Sequence, residues 1–287
     1  MFSISHFYNS IHLAYGTFWK NFGKYIKVGI IEDEKVRGDL IPLCRFFSSH
    51  SQNSTTSLPE YVSRMPSEQN QIYYVVGETR KAAAMSPALE QLKQKGFEVL
   101  YVSEPIDEMT LQNIEKYEGK TISDVGKETG AADMSDEEKA IKEQTNQDFE
   151  GLRTWMMQVL GEKITRVEMS TRLVDSPATL VQSEFGVSPN MQKYLRAQAV
   201  VEADDKGEFA NIFNQAVLEV NPHHPITVQL KTRFEDPVLK DAPESRELIE
   251  VIFSTAALAA GYVLDNSAEY ARIINRILAQ GVSPRQE

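Results

Sequence analysis

Two adjacent histidines in NPHHP, His223 and His224, are the residues that most invite a metal ion. A zinc site needs three or four ligands converging on one point, and neighbours in sequence point apart. No HExxH and no third ligand at a useful spacing accompany them, so the pair reads as a loop or a helix cap. The one cysteine, Cys44 in LIPLCRFF, has no second thiol and no nearby histidine to activate it, and reads as a buried, inert thiol. No GxSxG elbow is present, and no catalytic pair can be picked from the carboxylates of SEPIDEM. GETRKAAAMS follows a strand-like run but carries no GxGxxG or Walker-type glycines, so the phosphate cradle of a nucleotide site is missing from it. Arg37-Gly38-Asp39 reads as a solvated helix start and the sequon at Asn53 as an unused one.

What remains is binding chemistry. In SPNMQKYLRAQA, Ser188 caps a first turn and Pro189 suits the first helical position. Met191, Tyr194, Leu195 and Ala199 then share one apolar face. Two readings stand: core packing, or a surface kept apolar for a partner. GVSPN before it and EADDKGEFAN after it are turn-rich and charged, which offers the helix few tertiary contacts. The surface reading therefore predicts exposed Met191, Tyr194 and Leu195 on a helix with mobile flanks.

The elements that position these residues follow from periodicity. Phe18, Phe22 and Ile26, with Trp19 and Ile30 beside them, make a helical stripe, and LIPLCRFF predicts a second helix. SSHSQNSTTS reads as a polar loop and LPEYVSRM as further helical turns. IYYVVGE is a buried strand, SPALEQLKQKG a helix capped by Ser86 and stopped by Gly96, and FEVLYVSE a second strand, parallel to the first. SDEE offers a capping box from Ser135 to Glu138 on a bridging helix, with Glu138 spaced to pair with Lys142. FEGLRTWMMQVLG predicts a helix, ITRVEMSTRL a half-buried strand, and VDSPATLVQSE a turn and its antiparallel partner. Two amphipathic helices close the sequence. Leu248, Ile249, Ile252, Phe253 and Ala256 line the first, and Tyr270, Ile273, Ile274, Ile277 and Leu278 the second. Their stripes predict self-association into a helical bundle.

Composition narrows the class of function. The 287 residues, 41% hydrophobic and 25% charged, suffice for about two domains with cores of their own. A net charge of -11 argues against a nucleic-acid partner and an anionic membrane surface, since both need clustered Lys and Arg. VIFSTAALAAGYVL is too short to span a bilayer. MFSISHFYNSIHLAYGT lacks the Arg and Lys of a targeting signal.

FWKNFGKYIKVGIIED, RFFSS, TSLPEYVSRM, IYYVVGETR, SPALEQLKQKGFEVLYVSEPIDE, TRLVDSPATLV and LEVNPHHPI, in that order, resemble the heat-shock protein 90 family of ATP-dependent chaperones. The resemblance runs from Phe18 onward and leaves residues 1–17 unmatched. It implies an α/β and α+β architecture: the αβα end of the middle domain over 18–130, then a mixed dimerisation domain over 131–287 ending in a helical bundle. The amino-terminal ATPase domain, with its ATP and magnesium, lies outside the resemblance, so this stretch is expected to hold no cofactor and not to act as an enzyme. The resemblance also implies a homodimer sealed by Leu248, Ile252, Phe253, Ile273, Ile274, Ile277 and Leu278. It implies client contacts at Met191, Tyr194 and Leu195, and on a second helix at Glu108, Met109 and Gln112, where relatives often carry an aromatic at the Met109 position. GVSPRQE stands where cytosolic eukaryotic members end in MEEVD, so docking of tetratricopeptide co-chaperones is not expected and an organellar or bacterial-type member is favoured. Two other classes stand beside this one: a standalone dimeric scaffold without folding activity, and a small-molecule enzyme, which the missing glycine loop disfavours.

Overall fold

The computed structural model describes residues 4–128, 134–183, 186–199, 216–264 and 266–282. It contains two compact units: Met1–Ala84 with Gly96–Asp124, and Met85–Lys95 with Val125–Glu287.

The first unit opens with α1 (Ile4–Glu32). Trp19, Ile26 and Ile30 face its core, while Phe18, Phe22 and Tyr25 are exposed, so the expected stripe is rotated from the observed one. Asp33 stops α1 and caps α2 (Glu34–Leu40), accepting from the Lys35 N–H at 2.9 Å. LIPLCRFF is no helix: Pro42 lies in a 3-10 turn, Ile41–Leu43, and the chain then extends into β1 (Phe46–Ser48). SSHSQNSTTS, expected as a loop, holds the hairpin turn and β2 (Ser51–Thr56), whose polarity is that of an edge strand. α3 (Leu58–Arg64) carries a full capping box between Ser57 and Glu60.

β3 (Gln71–Val76) leads into α4 (Arg80–Ala84). The expected single helix over SPALEQLKQKG is instead a 3-10 turn, Pro87–Leu89, followed by the short α5 (Glu90–Gln94). Ser86 makes no capping hydrogen bond, and Gly96 follows α5 at φ 70°, a left-handed value that favours glycine. β4 (Val99–Val102), α6 (Pro105–Ile114), β5 (Lys116–Tyr117) and β6 (Lys120–Asp124) complete this part. The sheet runs β2-β1-β4-β3-β6-β5, and β3 pairs with β4 in parallel, Tyr74 opposite Leu100, as expected. Its core joins Ile30, Cys44, Leu58, Tyr61, Ile72, Leu100 and Leu111.

The second unit continues with α7 (Asp136–Asp148), whose Ser135–Glu138 capping box is present as read. Lys142 bonds Glu168 at 2.6 Å rather than Glu138. α8 (Glu150–Leu160), β7 (Arg166–Met169), β8 (Ala178–Gln182) and α9 (Pro189–Ala199) follow. β8 does not pair with β7. Between them lies β9 (Ala216–Val220), parallel to β7 and antiparallel to β8. The sequence reading missed β9 because all five of its residues are buried, so no alternation marks it. The last described elements are α10 (Pro225–Glu235), α11 (Pro237–Asp241), α12 (Pro243–Ala259) and α13 (Ser267–Val282). α8, the strands and α12 share a core around Trp155, Met156, Leu218, Ile249 and Ile252. Among the described residues no helix is long and apolar enough to cross a membrane.

Candidate functional site

Ser188 starts α9 as its type requires: its hydroxyl accepts from the Met191 N–H at 3.0 Å and its carbonyl from the Gln192 N–H at 2.8 Å. The Gln192 side chain is buried and donates to the Val187 carbonyl at 2.9 Å, which fixes the rotation of the helix. Tyr194 therefore comes out 45% exposed, with Met191 and Leu195 half-buried beside it. The face is neither core nor fully solvated: two flexible or branched side chains flank an exposed ring. EADDKGEFAN and the Ala199 side chain lie outside the described residues.

The terminal helices divide the expected seam. Within a single copy Ile252 and Ile273 are buried, and Leu248 and Phe253 pack partly buried against the core of their unit. Ile274 is half-buried, whereas Ile277 is 39% and Leu278 59% exposed. Leu258 and Val263, which periodicity did not single out, are exposed too. Gly261, at φ 89°, allows the chain to turn after α12, and the Thr255 and Tyr270 hydroxyls meet at 3.3 Å between α12 and α13. Charges border the pair, with Lys163 against Glu250 at 2.6 Å and Arg276 against Glu247. A groove of about 560 Å³ opens between Pro189 and Gln192 of α9 and Phe253, Ala257, Tyr270 and Ile273 of the terminal helices.

On α6, Met109 and Gln112 are exposed but Glu108 is only 2% exposed, with the Gln112 amide donating to its carboxylate at 3.3 Å. The surface expected over three residues is thus Met109 and Gln112 alone. α6 is held from below by a buried ion pair between Asp107 in its first turn and Lys27 of α1. Lys27 also lies 5.2 Å from the Trp19 ring and 5.6 Å from that of Phe46.

The candidates for reactive chemistry resolve as structure. His224 caps α10, its Nδ1 accepting from the Ile226 N–H at 3.2 Å, and the His223 N–H donates to Asn221 at 3.0 Å. Among the described residues no three His, Cys, Asp or Glu side chains gather as metal ligands. Cys44 is fully buried, and that burial pushes its thiol up to about 12.

The α+β chain thus presents a partly exposed apolar face on α9 and exposed apolar residues, Ile277 and Leu278, on α13. The profile of the family described as Hsp90 protein matches residues 4–287, and the chain belongs to that family. The match includes residues 4–17, ahead of the Phe18 at which the resemblance begins. Heat shock protein 90-5, chloroplastic, of Arabidopsis thaliana is 37% identical over 274 residues, 94% of this chain and 34% of that protein. Chaperone protein HtpG of Mycobacterium avium is 35% identical over 269 residues, 93% of this chain and 40% of that protein. The chain thus spans 34% and 40% of the length of these two curated relatives.

Proposed function

We propose that this chain supplies the client-holding and self-association part of an Hsp90-type molecular chaperone. The observation that carries the reading is the α9 face, with Tyr194 exposed between half-buried Met191 and Leu195 in a member of that family. An aromatic ring and a thioether make adaptable contacts of low specificity, which suits partly folded proteins of many sequences. Met109 and Gln112 of α6 form a second contact patch. A second copy of the chain covers Ile274, Ile277 and Leu278, giving a homodimer. This stretch works by binding, holds no nucleotide or metal of its own and takes neither nucleic acid nor membrane as a partner. Its compartment is an organelle, in keeping with a relative named as chloroplastic.

The test is suppression of the aggregation of reduced, unfolding lysozyme by the chain and by its Met191→Ser/Tyr194→Ser/Leu195→Ser variant. The proposal expects suppression to fall severalfold in the variant while its melting temperature stays close to that of the parent. Undiminished suppression, or no suppression by the parent, favours the scaffold reading. A core role for these residues would instead lower stability by about 2 to 5 kcal/mol for each apolar side chain lost.

A further inference from the structure

The chain passes between its two units three times: after Ala84, after Lys95 and after Asp124. Within the second unit, the segments that follow the first and third of these crossings are held by one loop, Ser170–Ser176. The excursion Met85–Lys95 buries Pro87, Ala88, Leu89 and Leu92. The Glu90 carboxylate accepts the N–H groups of Val174 at 2.6 Å, Asp175 at 2.8 Å and Ser176 at 3.1 Å, together with the Ser176 hydroxyl. Beside it the Gln91 N–H donates to the Arg172 carbonyl at 3.1 Å.

Arg172 also reaches the third crossing, its guanidinium donating to the Val125 carbonyl at 2.6 Å. It is fixed in turn by buried Glu219 of β9 at 3.1 Å, which also accepts from the Ser170 hydroxyl at 2.9 Å. Just beyond β9 the Asn221 amide donates to the carbonyls of Val174 and Ser176, each at 3.2 Å. These hydrogen bonds present the loop to Glu90, Gln91 and Val125, and all of them lie inside the second unit.

We infer that the Ser170–Ser176 loop is a latch that makes the two units fold and unfold as one, with Glu90 as its positioning residue. β3 and β4 are parallel neighbours in the sheet of the first unit, and a parallel pair requires a crossover, of which Met85–Lys95 is the middle. Once that sheet has formed, both ends of the segment are fixed and it docks with little chain entropy left to lose. Without the sheet, the same docking must order the segment at that moment. Each unit therefore favours the folding of the other.

The two tryptophans report the units separately, Trp19 in the first and Trp155 in the second. Urea unfolding of the full chain is followed by fluorescence in Trp155→Phe and Trp19→Phe backgrounds at one protein concentration. With the latch intact the two curves should coincide, and Leu160→Ala in the core of the second unit should move both together. Glu90→Ala should separate the midpoints by on the order of 0.5 to 1 M urea. Coincident curves in Glu90→Ala, or curves split by Leu160→Ala alone, overturn the inference. If Glu90→Ala does not fold, Ser176→Ala carries the same reading: separation supports the latch and coincidence overturns it.

Discussion

Replacing Lys27 by Met should destabilise the first unit more than replacing its partner Asp107 by Asn, and the reason lies in what each leaves behind. Both side chains are nearly closed to water, 9% and 14% exposed. Losing one partner of a buried pair costs about 3 to 5 kcal/mol, because the survivor is a desolvated charge. Without Lys27, the Asp107 carboxylate has no cation against it; burial already raises its proton affinity above the usual carboxylate range while Lys27 opposes that. Without the Asp107 charge, Lys27 still has the Trp19 and Phe46 rings, a contact worth up to about 2 kcal/mol when desolvated. We therefore expect Lys27→Met to cost about 3 to 5 kcal/mol at pH 7 and Asp107→Asn about 1 to 3. The Lys27→Met penalty should shrink as pH falls and Asp107 takes up a proton. Urea unfolding followed by Trp19 fluorescence, with Trp155 replaced by Phe, reads both values. Equal costs below about 1 kcal/mol would show that water reaches the pair and that the argument from burial is mistaken.

Substituting both Ile277 and Leu278 with Asp should abolish dimerisation at micromolar concentration and leave protomer stability nearly unchanged, since both are already exposed. Light scattering that still shows a dimer would move the seam elsewhere. Burial would raise Glu90, but the Ser176 hydroxyl and the N–H groups of residues 174–176 outweigh it and hold the carboxyl low; Arg166 and Lys142 do the same for Glu168. Lowered values place this stabilisation above the usual carboxylate range and remove it as pH falls through the folded values, so urea midpoints should drop below about pH 4.5. A flat profile there would exclude these contacts as stabilising. Cys44 should resist a thiol reagent in the native protein and react quickly in urea, because it is buried and its thiol stands near 12. Rapid native labelling would refute its place in the core.

The parts legible in the sequence were those with one strong period or one local rule. α12 and α13 announced themselves through stripes spaced at three and four residues, and Ser135–Glu138 through the capping box. β9 was hidden by continuous burial, and the polarity of β2 disguised an edge strand as a loop. Spacing alone offered Lys142 to Glu138, but Glu168, delivered by β7, is the partner the fold provides. Glu108 and Met109 show the limit of transfer by resemblance: neighbours on a helix point about a quarter turn or more apart, and packing alone decides which one faces inward. The role of Glu90 could not be read at all, since its donors lie far along the chain and are backbone groups, which leave no mark on residue type.

The central claim, that the α9 face meets unfolding protein, is tested most directly by a photocrosslinking residue placed at Tyr194 of the full chain. A control carries the same residue at Val238, which is also exposed but lies on α11. Irradiation with reduced, unfolding lysozyme should give a covalent adduct from position 194, little from position 238, and none from either with native lysozyme. Equal adducts from both positions, or adducts only from position 238, would contradict the account.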